Sequence, residues 1–172
     1  KADCYNRLTT EIKGQNIENE SMVNLPNWLP ITFRIENGNW FDISDTDIEE
    51  FRQELDLKQG ILSRKVRFTD NNGRTTRVFQ RRFVSMAEPH LAGLETTVTA
   101  ENWSGSICLR SAIDGRVINS GVERYRDLKS RHLIPLQSRL IDGETIFLQM
   151  ETCQSHIRVA ETARTRIFRD NK

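Results

Sequence analysis

No stretch of this sequence stays apolar for the roughly 20 residues that a membrane-spanning helix needs, and the opening Lys1–Leu8 has no apolar signal core. Charge of one sign is missing too. The 25 Lys and Arg stand against 24 Asp and Glu, a net +1, which gives no whole-molecule field for nucleic acid or an acidic membrane. Neither is an expected partner. Cysteine is scarce: Cys4, Cys108 and Cys153 are odd in number, far apart and without CxxC or Cys/His spacing. That excludes a disulfide scaffold and a zinc site, so we expect no metal and a reducing, cytoplasmic setting. The chain also lacks repeats, low-complexity segments and linkers. Residues 1–172 therefore read as one domain, long enough to bury about 70% of its unfolded surface.

What is present is period-two patterning. "ICLRSAI" alternates Ile107, Leu109, Ser111 and Ile113 against Cys108, Arg110 and Ala112, and "IFLQMET" does the same with Ile146, Leu148 and Met150. Such runs are half-buried antiparallel strands. Turn signals at "ENGN", "KQG", "DNNG" and two "IDG" triplets punctuate them, so the expected class is all-β, an antiparallel β-sandwich. A hairpin is predicted over residues 51–69. Gathering apolar residues on one face pairs Phe51 with Phe68, Gln53 with Val66, Leu55 with Arg64 and Leu57 with Leu62, and sets Glu54 opposite Lys65. The next turn, Asn71-Asn72-Gly73, needs the left-handed conformation at Gly73 and places Val66 opposite Val78. Val78, Val84 and Met86 then face inward, leaving Arg77, Phe79, Arg81 and Phe83 on the other face. In "SDTDIEE", Thr46 and Glu49 have capping-box spacing, which predicts one helical turn.

Most chemical candidates have a plainer reading. Asp45-Thr46-Asp47 matches a cation-binding DxD by three letters only, and the helix-cap reading is preferred. Residues 58–82 hold eight Lys or Arg and one acid, a pattern open to phosphate or RNA, whereas residues 36–57 hold eight acids and one Arg. As hairpin partners the two blocks neutralise each other. His90, His132 and His156 have neither metal-ligand nor nucleophile-motif spacing, so no catalytic residue is nominated. Among the tryptophans, Trp40 and Trp103 sit beside turns and read as plugs that end a core. Trp28 lies in "NLPNWLP", where Pro26 and Pro30 stiffen the chain and allow a ring to be presented to a sugar. Burial as a plug is the favoured alternative, since most Trp side chains are largely buried.

"YNRL" at 5–8, "VNLPNWLPITFRI" at 23–35, "RQELDLKQGILSRKVRF" at 52–68, "RRFVSMAEPHLAGL" at 81–94, "ENWSGSICLRSAIDGRVINSGVERYRDL" at 101–128 and "RVAETARTRIF" at 158–168 together resemble the N-terminal domain of glycoside hydrolase family 65. That family contains maltose, trehalose and kojibiose phosphorylases and some hydrolases. The resemblance implies a super-sandwich similar to galactose mutarotase, followed in the parent protein by an (α/α)6-barrel that carries the catalytic glutamate. It also implies inorganic phosphate as the parent's co-substrate if the parent is a phosphorylase, and an α-glucoside disaccharide as its substrate. A homodimer is a possible assembly. Because earlier strands and the barrel motifs are absent, the chain is expected to be a partial, non-catalytic domain that acts as scaffold and interface.

Two site expectations follow. Asn24, Pro26, Asn27 and Trp28 form a loop that either walls the sugar site or contacts the barrel, and Arg77, Phe79, Arg81 and Phe83 form a face that packs on another domain or subunit. The alternatives are an autonomous carbohydrate-binding module using Trp28 or Trp103, and an epimerase-like enzyme pairing His90 or His132 with a carboxylate.

Overall fold

Eleven β-strands, and no α-helix among the described residues, account for the regular structure of the computed structural model, which describes residues 4–123 and 126–169. All strand pairings with a defined register are antiparallel, as the alternating pattern predicts. No described helix is long and apolar enough to cross a membrane. The residues gather into two compact units, one made of 1–30 with 111–172 and the other of 31–110.

The first unit begins with a hairpin of β1 (Tyr5–Ile12) and β2 (Gln15–Met22). Lys13 and Gly14 turn it with positive φ at both positions (51° and 78°), the geometry that matches strand twist in a two-residue turn. A three-stranded sheet follows, in the order β11 (Arg158–Arg164), β10 (Thr145–Thr152), β9 (Leu133–Leu140). Met150 and Leu148 point inward from β10, as the alternation requires, and join buried Cys4, Val23 and Leu133. Val117, Leu25, Ile157 and Val159 pack around them.

The second unit pairs β3 (Ile31–Ile35) with β8 (Ile107–Ser111) and builds a four-stranded meander in chain order. Its strands are β4 (Ile48–Asp56), β5 (Ile61–Thr69), β6 (Thr75–Val84) and β7 (Ala92–Ala100). The core is Phe33, Ile35, Val66, Phe68 and Val78, with Phe41, Ile43, Ile48, Val98 and Trp103 packed on it. Phe41 stacks between Phe33 and Phe68 with ring centroids 5.1 and 4.9 Å apart. Each such aromatic pair adds about 0.5–1.5 kcal/mol beyond burial. Trp103 plugs this core as expected, its indole N–H donating to Thr75 O and Thr76 Oγ1, both at 3.1 Å.

The hairpin register differs from the sequence expectation by two residues. Phe51 stands opposite Val66 and Leu55 opposite Leu62, while Asp56 and Ile61 close the turn. Turn chemistry outweighs apolar matching here: the Asp56 carboxylate accepts the N–H groups of Lys58 and Gln59, and Gly60 takes φ 68°. A shift of two preserves the faces but not the pairs. Lys65 meets Arg52, and Glu54 pairs instead with Arg52 in its own strand at 3.0 Å. The second turn is as predicted, with Gly73 at φ 74° and Val66 opposite Val78.

Two expectations are corrected. "SDTDIEE" forms no helical turn, because Asp42 collects Ser44 N–H on its carboxylate and the Asp45 N–H and Thr46 hydroxyl on its carbonyl, while Ile48 is drawn into β4 beside the core. Val84 and Met86 share the face of Val78 by alternation, yet are 63% and 96% exposed. The core covers only the Val66–Val78 end of this sheet, so the far ends of the strands project beyond it.

Candidate functional site

The loop Asn24–Pro30 is a stiff connection in the first unit. Asn27 and Asp114 exchange backbone hydrogen bonds at 2.8 Å in both directions, an isolated bridge that fixes the loop's middle. Asn24 N–H donates to Asn119 Oδ1 at 2.9 Å and its amide to Ile118 O at 3.0 Å, while Asn119 holds Met22 O. Asp114 is locked in turn. Its carboxylate accepts the Arg116 guanidinium at 2.8 and 2.9 Å and the Arg116 N–H at 2.9 Å, which holds its pKa at about 2. Pro26 is buried, Asn27 is exposed, and Trp28 is half-buried. Among the described residues Trp28 belongs to neither apolar cluster. A rigid backbone thus carries an aromatic ring outside both cores.

The Arg77–Phe83 face is a ladder of charge with aromatic rungs. Arg77 bonds Glu101 at 2.6 Å, Arg81 pairs with Glu95 across to β7, and Arg67 links Glu49 with Glu101. The basic and acidic blocks of the sequence therefore neutralise each other, partly through the expected partner Glu49 and partly through Glu95 of β7 and Glu101 just after it. Phe79 lies half-buried under the Lys65 ammonium, 5.8 Å from the ring centre. Phe83 is 44% exposed and lies over Gly93, where a β-carbon would run into its ring. Beside it, a cavity of about 320 Å³ is lined by Ile61, Arg81, Arg82, Leu94 and Glu95.

Sequence reasoning nominated no acid–base pair, and of the three histidines His156 is the one that meets a carboxylate among the described residues, Glu151 at 3.2 Å. His132 is 2% exposed and its Nδ1 faces the Asn6 amide at 3.0 Å. Because that amide donates, the ring carries its proton on Nε2, and burial pushes its pKa down. Asn6 is the centre of this cluster: its Oδ1 accepts Gln154 N–H at 2.9 Å and Ser155 N–H at 3.0 Å, and its amide also reaches Cys153 Sγ at 3.4 Å. Cys, His and Asn are thus close, but Asn stands between the other two, an arrangement that staples the turn after β10 rather than activating sulfur. His156 pairs with Glu151, and His90 lies exposed in the turn before β7. No group of three metal-ligating side chains occurs among the described residues.

Two features carried no legible signal. Trp40, read as a plug, lies instead against two guanidinium groups, Arg110 at 3.9 Å and Arg34 at 5.1 Å from its ring centre. Glu161 sits on the inner face of β11 opposite Leu148, with Oε2 unpaired among the described residues. Desolvation raises its pKa to about 7. Both depend on β-pairings that bring residues from separate parts of the chain together.

Comparison with known proteins matches residues 1–172 to "Glycosyl hydrolase family 65, N-terminal domain". The chain is 43% identical over 171 residues to an uncharacterized glycosyl hydrolase of Mycobacterium tuberculosis (strain ATCC 25618 / H37Rv), covering 99% of this chain and 13% of that protein. It is 31% identical over 147 residues to kojibiose phosphorylase of Thermoanaerobacter brockii, covering 86% of this chain and 19% of that protein. It is 36% identical over 83 residues to the alpha,alpha-trehalose phosphorylase of the same organism, covering 48% of this chain and 11% of that protein. The chain thus spans about a fifth or less of these relatives.

Proposed function

The chain belongs to glycosyl hydrolase family 65 as its N-terminal domain, and from that premise we propose that it is a non-catalytic scaffold and interface domain of a longer carbohydrate-active protein. The parent cleaves α-linked glucose disaccharides with inversion, by phosphorolysis with inorganic phosphate or by hydrolysis. The observation that carries this reading is coverage: the whole chain matches the domain, while the matched segments make up only 19% and 11% of the two phosphorylase relatives. On this reading the (α/α)6 barrel of the parent supplies catalysis, the Arg77, Phe79, Arg81 and Phe83 face is a contact surface for another domain or subunit, and the Asn24–Trp28 loop borders the sugar site.

A second reading, autonomous sugar binding, is favoured by Trp28 alone, whose ring lies outside both cores on a braced loop. Amide NMR of the 172-residue chain titrated with trehalose, maltose and kojibiose separates the two. The scaffold reading expects no saturable shift and no release of glucose with or without phosphate; shifts localised at residues 24–30 would transfer the function to this chain. In the parent, Trp28→Ala should raise KM with unchanged stability if the loop borders the sugar, whereas lost stability with unchanged KM marks a plug.

A further inference from the structure

Phe41 stacks in its core, and its backbone is tied to β3 by its N–H, which donates to Phe33 O at 2.7 Å, and by Thr32 Oγ1, which donates to its carbonyl at 2.6 Å. Neighbouring Trp40 meets Arg34 on the other side of β3, because Phe33 and Ile35 take the core side. A second arginine comes from β8. Glu36 N–H donates to Ser106 O at 2.9 Å and Ala112 N–H to Pro30 O at 3.0 Å, an antiparallel register that sets Arg34 opposite Cys108 and makes Arg110 its diagonal neighbour on one face. Trp40 holds both arginines, with the Arg110 guanidinium 3.9 Å and the Arg34 guanidinium 5.1 Å from its ring centre.

Two positive groups against one ring repel each other, and each cation–π contact returns only about 0.5–1 kcal/mol at an exposed site. Elsewhere in this unit the fold answers arginine with acid: Arg67 meets Glu49 and Glu101, Arg74 meets Asp70 and Glu36, Arg77 meets Glu101 and Arg81 meets Glu95. Arg34 and Arg110 meet no acid among the described residues, and Glu36, two positions from Arg34, is already held by Arg74. Arg34 Nε is shielded from solvent with no acceptor among the described residues, whereas Arg110 is exposed. The fold thus assembles two guanidinium groups and leaves their counter-charge to come from outside.

We propose that Arg34, Trp40 and Arg110 form a binding site for a phosphate group, carried either by inorganic phosphate or by a phosphate monoester. Charge and geometry select phosphate over a carboxylate. One guanidinium fork satisfies both oxygens of a carboxylate, whereas a phosphate dianion presents more oxygens than one fork can engage and matches two forks and two positive charges. The indole keeps both guanidinium groups close before the anion arrives, which lowers the ordering cost of binding. All three residues belong to the unit 31–110, so the site is testable apart from the scaffold reading.

NMR of the indole and amide N–H groups of the 172-residue chain tests it, by titration with sodium phosphate and separately with glycerol phosphate, each against sodium chloride of equal ionic strength. Trp40→Phe assigns the indole signal. Saturable shifts of the Trp40 indole N–H are expected with a Kd of about 0.1–10 mM, and the tighter of the two anions tells free phosphate from an ester. Arg34→Gln and Arg110→Gln should each weaken binding about tenfold or more, while Arg34→Lys, which keeps the charge but loses the fork, should fall between. Circular dichroism melts show which variants fold, and exposed Arg110 keeps the test decisive if Arg34→Gln does not. The proposal is overturned if neither phosphate shifts the indole signal, if chloride reproduces the shifts, if sodium acetate binds as tightly, or if the folded arginine variants bind like the wild type.

Discussion

Glu161→Gln should make the protein more stable at pH 8 and leave it nearly unchanged near pH 4.5. Burial among Leu148, Val159 and Ala163 on the inner face raises this carboxyl from its ordinary 4.5 to about 7. The folded state therefore binds a proton that the unfolded chain has already lost between those values. The stabilising contribution is complete below pH 4.5 and disappears as pH climbs through 7. The full shift of 2.5 units corresponds to about 3.4 kcal/mol, and partial access of water to the side chain reduces this to about 1–2 kcal/mol. Glutamine keeps the shape and never ionises. Urea unfolding of both proteins at pH 4.5, 6 and 8 measures the difference, and groups common to both, such as His132, cancel from it. Parallel stability curves across this range would refute the reasoning, because they would mean that Glu161 ionises as freely in the fold as outside it.

Asn6→Ala should cost about 3 kcal/mol in chemical unfolding, since it leaves the Gln154 and Ser155 N–H groups and His132 Nδ1 without their acceptor and donor; a loss under about 1 kcal/mol would show that water replaces the amide. His132 contributes pH dependence of the opposite sign to Glu161. With its folded pKa depressed, stability is present above the ordinary 6.5 and lost as pH falls below it, so His132→Gln should flatten the acid side of the stability curve. Gly93→Ala should drive Phe83 off the sheet at a cost of about 1–3 kcal/mol, and combining it with Phe83→Ala should cost less than the two changes summed.

The all-β class, the antiparallel pairing, the faces of β5, β6 and β10 and the Gly73 turn were all legible in the sequence. Each depends on local chemistry: side-chain alternation of period two, or a backbone position that only glycine occupies without strain. The β4–β5 register was not, because apolar matching ranked the wrong pairing above the Asp56-capped turn. Nor was the exposure of Phe51, Leu55 and Val84, since alternation assigns a residue to a face but does not say how far along the strand that face is covered. Among the candidate residues, the braced Asn24–Trp28 loop was suggested by its prolines, while its clamp through Asp114 and Asn119 required the partners to be seen.

By itself, then, the sequence determined the all-β class, the alternation of faces and, through its resemblance, membership of the family that the comparison shows. Only the tertiary structure decided that Asn6 reaches a turn nearly 150 residues away, that Trp40 lies against two arginines, that Glu161 Oε2 is desolvated and unpaired among the described residues and that β4 is left as an edge. The physical reason is that hydrogen bonds, desolvation and strand order are set by which distant segments come within a few ångströms, and the spacing of residues along a chain carries no record of that distance.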